Sequence, residues 1–200
     1  MDSNPHIGRS VRSLVLAANH EDTEFDQALD KLSLHLNYVA SLQLISQYAR
    51  YANPRPFFDS ALSRILRGPQ LRHLTFTKCT TFRTSSIAFS SNLKSISFED
   101  TRDAITDHAG LDPYPLASLQ KLVLIHSNII LETVRLEPRF RALFSNVQHL
   151  HVTLDFTRPP QWQETLNWTN LQSLSLSSWL QCKHLRSLRT FIVNLNRYLD

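Results

Sequence analysis

Apolar residues along the chain recur as apolar-x-x-apolar-x-apolar. Five copies are strict: PQLRHLTF at 69–76, SNLKSISF at 91–98, ASLQKLVL at 117–124, SNVQHLHV at 145–152 and TNLQSLSL at 169–176. Two looser copies come earlier, VRSLVL at 11–16 and VASLQL at 39–44. The short pattern alone decides little, because in a chain this rich in Leu, Ile, Val and Phe it arises by chance about five times. The longer form carries the signal. In the strict copies a polar residue precedes the first apolar position (Gln70, Asn92, Ser118, Asn146, Asn170), and another follows it (Arg72, Lys94, Gln120, Gln148, Gln172).

The first apolar positions fall at 11, 39, 71, 93, 119, 147 and 171, so the steps are 28, 32, 22, 26, 28 and 24 residues. Units of 20–29 residues built on L-x-x-L-x-L are the sequence signature of leucine-rich repeats; only the step of 32 falls outside. Alternation within each unit predicts a short strand, with pairs such as Leu14 and Leu16, or Leu74 and Phe76, facing inward. Each chain segment between strands must return on the other side, which makes the sheet parallel and its connections right-handed. The expected fold class is therefore α/β: a right-handed leucine-rich-repeat solenoid. A curved parallel β-sheet would form its concave face, with helices and irregular turns on the convex face.

The connecting segments differ. Residues 24–36 place Phe25, Leu29, Leu32 and Leu36 on one helical stripe, with Thr23 and Asp26 as a capping box. Residues 57–67 carry Phe58, Ala61, Leu62 and Ile65 and stop at Gly68-Pro69. Shorter helices are expected at 139–144 and 160–167, led by Pro138 and Pro160. The step of 22 residues leaves 77–92 room only for an irregular turn or one short helical turn. Leu185, Leu188, Ile192, Leu195 and Leu199 predict a long helix over 179–198, with Ser178 and Gln181 as its capping box. The organisation expected is a lead-in over 1–10, about seven irregular repeats over 11–177, and a C-terminal helix in 178–200 on the last repeat.

Three residues beyond the last apolar position of the pattern, a repeat of this kind normally carries Asn or Cys to bond the backbone of neighbouring coils. Here the positions hold Asn19, Gln47, Cys79, Thr101, Ser127, Asp155 and Trp179, a degenerate series.

Composition narrows the chemistry. Three glycines, none clustered, exclude a phosphate-cradling loop. The net charge is +4 with scattered basic residues and no run, so nucleic-acid binding is not expected. Cys79 and Cys182 form no CxxC pair, and two cysteines give no disulfide framework; an intracellular location, cytoplasmic or nuclear, is expected. Neither a signal-peptide core nor a membrane span is present in the sequence, and the sequon at Asn167 matters only in a secreted chain.

His149 and His151 stand on one strand face and raise the question of a metal site. Their nearest equivalent, His73, lies three strands away, roughly 14 Å at about 4.8 Å per strand, so the three cannot share an ion. No metal, cofactor or catalytic group is expected. The serines at outward positions lack a nucleophile motif, and Glu99, Asp100 and Asp103 are expected to form a solvated loop.

The outward positions form a grid. Its candidate contact residues are His73, Thr75, Ser97, Lys121, Val123, Ile125, His149, His151, Ser173 and Ser175. Val15, Ile45, Val123 and Ile125 are unusual on a face that only meets water. A non-catalytic module that binds a protein partner through this face is the favoured function. A fragment or decayed repeat protein without independent activity is the alternative; an enzyme or nucleotide-dependent regulator is a third.

The opening, NPHIGRSVRSLVLAAN, with Asn4, Pro5, Ile7, Val11, Arg12, Leu14 and Leu16, resembles the start of the leucine-rich-repeat region of fungal (basidiomycete-type) F-box proteins. That resemblance implies substrate recognition for a ubiquitin ligase, the repeats capturing the protein to be modified. An F-box of some forty residues would precede the repeats and dock the ligase adaptor. The first repeat starts at Val11, so no direct adaptor binding is expected from this chain.

Overall fold

The structure is a computed structural model that describes residues 5–17, 22–45, 56–79, 82–83, 90–101, 104–105, 119–127, 146–154 and 170–178. In chain order the elements are α1 (Pro5–Ser10), β1 (Ser13–Ala17), α2 (Thr23–Ser33), β2 (Ser41–Ile45), α3 (Pro56–Leu66) and β3 (His73–Thr77). They continue with β4 (Phe82–Arg83), β5 (Ser95–Glu99), β6 (Ala104–Ile105), β7 (Lys121–Ile125), β8 (His149–Leu154) and β9 (Ser173–Ser178).

Each of the seven apolar-x-x-apolar-x-apolar copies becomes one strand of a single open sheet in the order β1-β2-β3-β5-β7-β8-β9, and every pairing is parallel. The register never slips. Leu14, Leu42, Leu74, Ile96, Leu122, Leu150 and Leu174 form one row across the sheet; Leu16, Leu44, Phe76, Phe98, Leu124, Val152 and Leu176 form the next. A slip by one residue would turn each row into water. In the middle strands both rows are sealed: Ile96, Phe98, Leu122 and Leu124 are fully buried, and Phe76 stacks on Phe98 with centroids 5.3 Å apart.

The residue after each first apolar position has a structural use through its backbone carbonyl. The carbonyl of Arg12 accepts from the N–H groups of Ala40 and Ser41, and that of Ala40 accepts from Arg72 and His73. The same double acceptance repeats at Arg72, Lys94, Gln120 and Gln148, each from the next strand's entry. Six identical junctions thus set the start of every strand after the first.

The strand exits are also alike in the middle of the sheet. Lys78, Asp100 and His126 follow β3, β5 and β7 directly, with φ of 55°, 51° and 51°. This left-handed residue turns the next one inward. That next residue is Cys79, Thr101 or Ser127, each buried. The Cys79 thiol donates to the carbonyl of Leu44 at 3.7 Å, and the Thr101 hydroxyl donates to that of Phe76 at 3.3 Å. Leu44 and Phe76 occupy the same row, one strand back in each case. The backbone N–H of Thr101 in turn donates to the Ser127 hydroxyl at 2.8 Å. Cys79 and Thr101 therefore make equivalent bonds to the preceding unit, while Ser127 links to it by accepting from the Thr101 backbone. Asn19, Gln47, Asp155 and Trp179 lie outside the described residues.

The helices pack on the apolar face, where Leu29, Ala61, Ile65 and Leu66 join the core of the strands. Arg64 of α3 ties the two larger helices together, donating to the Ser33 hydroxyl at 2.8 Å, to the Asp30 carbonyl at 3.1 Å and to the Asp30 carboxylate.

Several expectations are corrected here. The N-cap of α2 is Asp22, whose carboxylate accepts from the Phe25 N–H at 3.0 Å; Thr23, expected with Asp26 as a capping box, is the first residue inside the helix, and Asp26 is buried. The helix stops at Ser33, because the chain turns through Leu34 to bury Leu36 beyond the helix end. Phe25 and Leu32, expected on the core stripe, are 42% and 44% exposed. The second helix covers Pro56–Leu66, one residue earlier than expected at each end, with proline in its first turn. The lead-in contains helix α1. Residues 82–83 form a strand, not a helical turn, and pair in parallel with β6 as a second small sheet. An extended chain advances about 3.3 Å per residue against 1.5 Å for a helix, so a short connection covers distance better as a strand. The helices expected at 139–144, 160–167 and 179–198, the capping box at Ser178 and Gln181, and Cys182 lie outside the described residues.

Candidate functional site

Alternation sends the remaining strand residues to the opposite face in three rows. Ser13, Ser41, His73, Ser95, Lys121, His149 and Ser173 form the first; Val15, Gln43, Thr75, Ser97, Val123, His151 and Ser175 form the second. The third starts with Ala17, Ile45, Thr77, Glu99 and Ile125 and resumes with Thr153 and Ser177 on β8 and β9. All ten candidate contact residues fall in these rows. His73, Lys121, His149, Ser173 and Ser175 are exposed, while Thr75, Ser97, Val123, Ile125 and His151 are half-buried by their neighbours. Of the four aliphatic residues singled out, only Val15 is largely exposed; Ile45, Val123 and Ile125 are shielded by flanking side chains.

The polar members of the grid are bonded in two groups. Across β8 and β9, His149 Nδ1 meets the Ser173 hydroxyl, His151 Nδ1 the Ser175 hydroxyl, and Thr153 Oγ1 the Ser177 hydroxyl, all at 2.9 Å. The two histidine bonds orient each imidazole and leave Nε2 as the second hydrogen-bonding atom for solvent or a partner. The second group centres on Glu99. Gln43 donates to Thr77 at 3.0 Å, Thr77 donates to the Glu99 carboxylate at 3.3 Å, and Ser97 donates to its other oxygen at 3.2 Å.

Glu99 fits two sequence descriptions, an outward strand position two residues after Ser97 and a member of an acidic loop. It is not part of a solvated loop but the last residue of β5, half-buried and held by two hydroxyls. Its period-two relation to Ser95 and Ser97 is the description that holds; only its acidic successor Asp100 is exposed. Asp103 lies outside the described residues.

Between the two bonded groups runs the β7 column, with Val123 and Ile125. A patch of aliphatic side chains thus sits between a carboxylate–hydroxyl cluster and a histidine–serine cluster. His73 and His149 are separated by β5 and β7. Among the described residues no group of three or more His, Cys, Asp or Glu is placed to hold a metal ion, and no helix is long and apolar enough to cross a membrane.

Compared with protein-family models, curated proteins and solved structures, the chain matches none.

Proposed function

We propose that the chain is a leucine-rich-repeat solenoid that works by recognition and not by catalysis, binding a protein partner on the open face of its sheet. One observation carries this reading: Val123 and Ile125, two aliphatic residues, lie at the centre of an ordered polar grid on the face opposite the core. An apolar centre with a polar rim is the anatomy of a protein interface, and extended sheet faces are what solenoids offer to partners. The six identical strand junctions and the Cys79–Thr101–Ser127 series support the repeat reading.

The partner class follows from the charges. The three rows hold one lysine, Lys121, and one carboxylate, Glu99, with three histidines. That balance suits a mixed polar and apolar protein surface better than a phosphate backbone, which needs a basic stripe. The resemblance of the opening segment to fungal F-box proteins suggests the role of a substrate-recognition region for a ubiquitin ligase.

The test is capture from an extract of the source organism by the immobilised chain, with the retained protein identified and its affinity measured. The double variant Val123→Glu/Ile125→Glu should weaken that affinity by about 100-fold or more, since apolar anchors at an interface centre each contribute roughly 1–2 kcal/mol or more. Because Ile125 stands opposite Glu99 and both targets are half-buried, some loss of stability is expected, and circular dichroism at the assay temperature checks that the fold persists. Equal affinity for parent and variant would place the interface elsewhere.

A further inference from the structure

Among the described residues, the large apolar side chains that reach solvent are gathered at one end of the sheet. Val15 is 55% exposed, Phe25 42%, Leu32 44%, Leu34 58% and Tyr38 42%, and all five belong to the segment from β1 to the turn after α2. The contrast with the interior of the sheet is sharp: Leu14 of β1 is only half-buried, whereas its row neighbours Leu42 and Leu74 are 0% and 1% exposed. β1 is also an edge strand, and among the described residues nothing pairs with its outer side. Its sequence, SLVLA, has no charge and no proline, the usual devices that keep an edge from pairing.

Helix α2 shows which direction is open. Leu29, Ser33 and Asp26 are buried, and Asp30 and Ser33 meet Arg64 of α3. Phe25, Ala28 and Leu32, at i, i+3 and i+7, share a stripe on the side turned away from those contacts. All three are exposed. The open strand edge and the open helix stripe therefore belong to the same end of the molecule.

We propose that a second copy of this chain covers that end, with β1 paired antiparallel to its mate and α2 packed against its mate about a two-fold axis through the sheet. The stripe is self-complementary, as an isologous interface requires. Ala28 lies at its centre and lets the helix backbones approach. Exposed Glu24 and Lys31 flank it near opposite ends of the helix. In an antiparallel pair centred between Gln27 and Ala28, Glu24 lies opposite the partner's Lys31, and the symmetry makes this contact twice. A two-fold axis along the sheet normal leaves the three outward rows of both copies on the same side. The dimer thus goes beyond the proposed binding face and does not depend on it.

The test is the mass of the 200-residue chain in solution by sedimentation equilibrium over a range of concentrations. The dimer predicts a mass approaching twice 23.1 kDa. Ala28→Arg, at an exposed position, should leave the circular dichroism spectrum unchanged and return the mass to that of one chain. Glu24→Lys or Lys31→Glu alone should weaken association about 10-fold by placing like charges together at both symmetric contacts. The double variant Glu24→Lys/Lys31→Glu should restore it. A single-chain mass at every concentration would overturn the proposal and assign the apolar end to a different occupant. A dimer indifferent to Ala28→Arg and to the charge swaps would overturn it as well.

Discussion

Phe98→Ala is expected to destabilise the chain by about 3–5 kcal/mol, the range for emptying a buried aromatic site. Phe98 is fully buried in the fourth strand of seven, and its ring lies parallel to that of Phe76 within 8°. On its other side the row continues with Leu124. Removing the ring leaves a cavity between two rigidly registered strands, neither of which can move inward without breaking its hydrogen bonds. Domains of this size hold only about 5–15 kcal/mol in total, so a large part of the stability would go. At roughly 2–4 °C per kcal/mol, the melting temperature should fall by about 6–20 °C. Ser97→Ala, one residue earlier but on the outward face, should change stability by less than about 1 kcal/mol. Urea unfolding of the two variants beside the parent measures both.

A second large effect is expected from the smallest change, Gly8→Ala. A Cβ at Gly8 would stand 2.3 Å from the carbonyl oxygen of His35 and 2.7 Å from its Cβ. The oxygen belongs to backbone just beyond α2, so no rotamer change relieves the clash. Helix α1 must tilt away, at a cost of about 1–3 kcal/mol. The ordinary advantage of alanine over glycine inside a helix, up to about 1 kcal/mol, would be outweighed. Urea unfolding should show the loss, and a stabilised Gly8→Ala chain would refute the close approach.

These two positions differ in how far the sequence announces them. Phe98 is fixed by alternation: once Ile96 faces the core, Phe98 must too, and the repeat spacing places Phe76 beside it. The same logic located all ten contact residues on one face. Gly8 gave no such signal, because its need arises from His35, far along the chain. The cap of α2 was missed by one residue, since Asp22, Thr23 and Asp26 are all plausible N-terminal residues and only backbone geometry selects among them. Phe25 and Leu32 fit a core stripe by spacing, but periodicity says nothing of whether a neighbour exists to cover them. The strand at Phe82–Arg83 was illegible because its partner, Ala104–Ile105, pairs with it only after both units have formed. Glu99 was hidden between two descriptions, a strand position and an acidic run, and the hydroxyls of Thr77 and Ser97 decided between them.

In the proposed function one face of the sheet is sealed and the other receives a protein. Maleimide labelling of Val123→Cys and Leu124→Cys in a Cys182→Ser background tests it most directly. The thiol at 123 should react in the native chain, the captured partner should suppress that reaction, and the thiol at 124 should react only after unfolding. A reactive native thiol at 124, or a thiol at 123 whose rate is untouched by the bound partner, would contradict it.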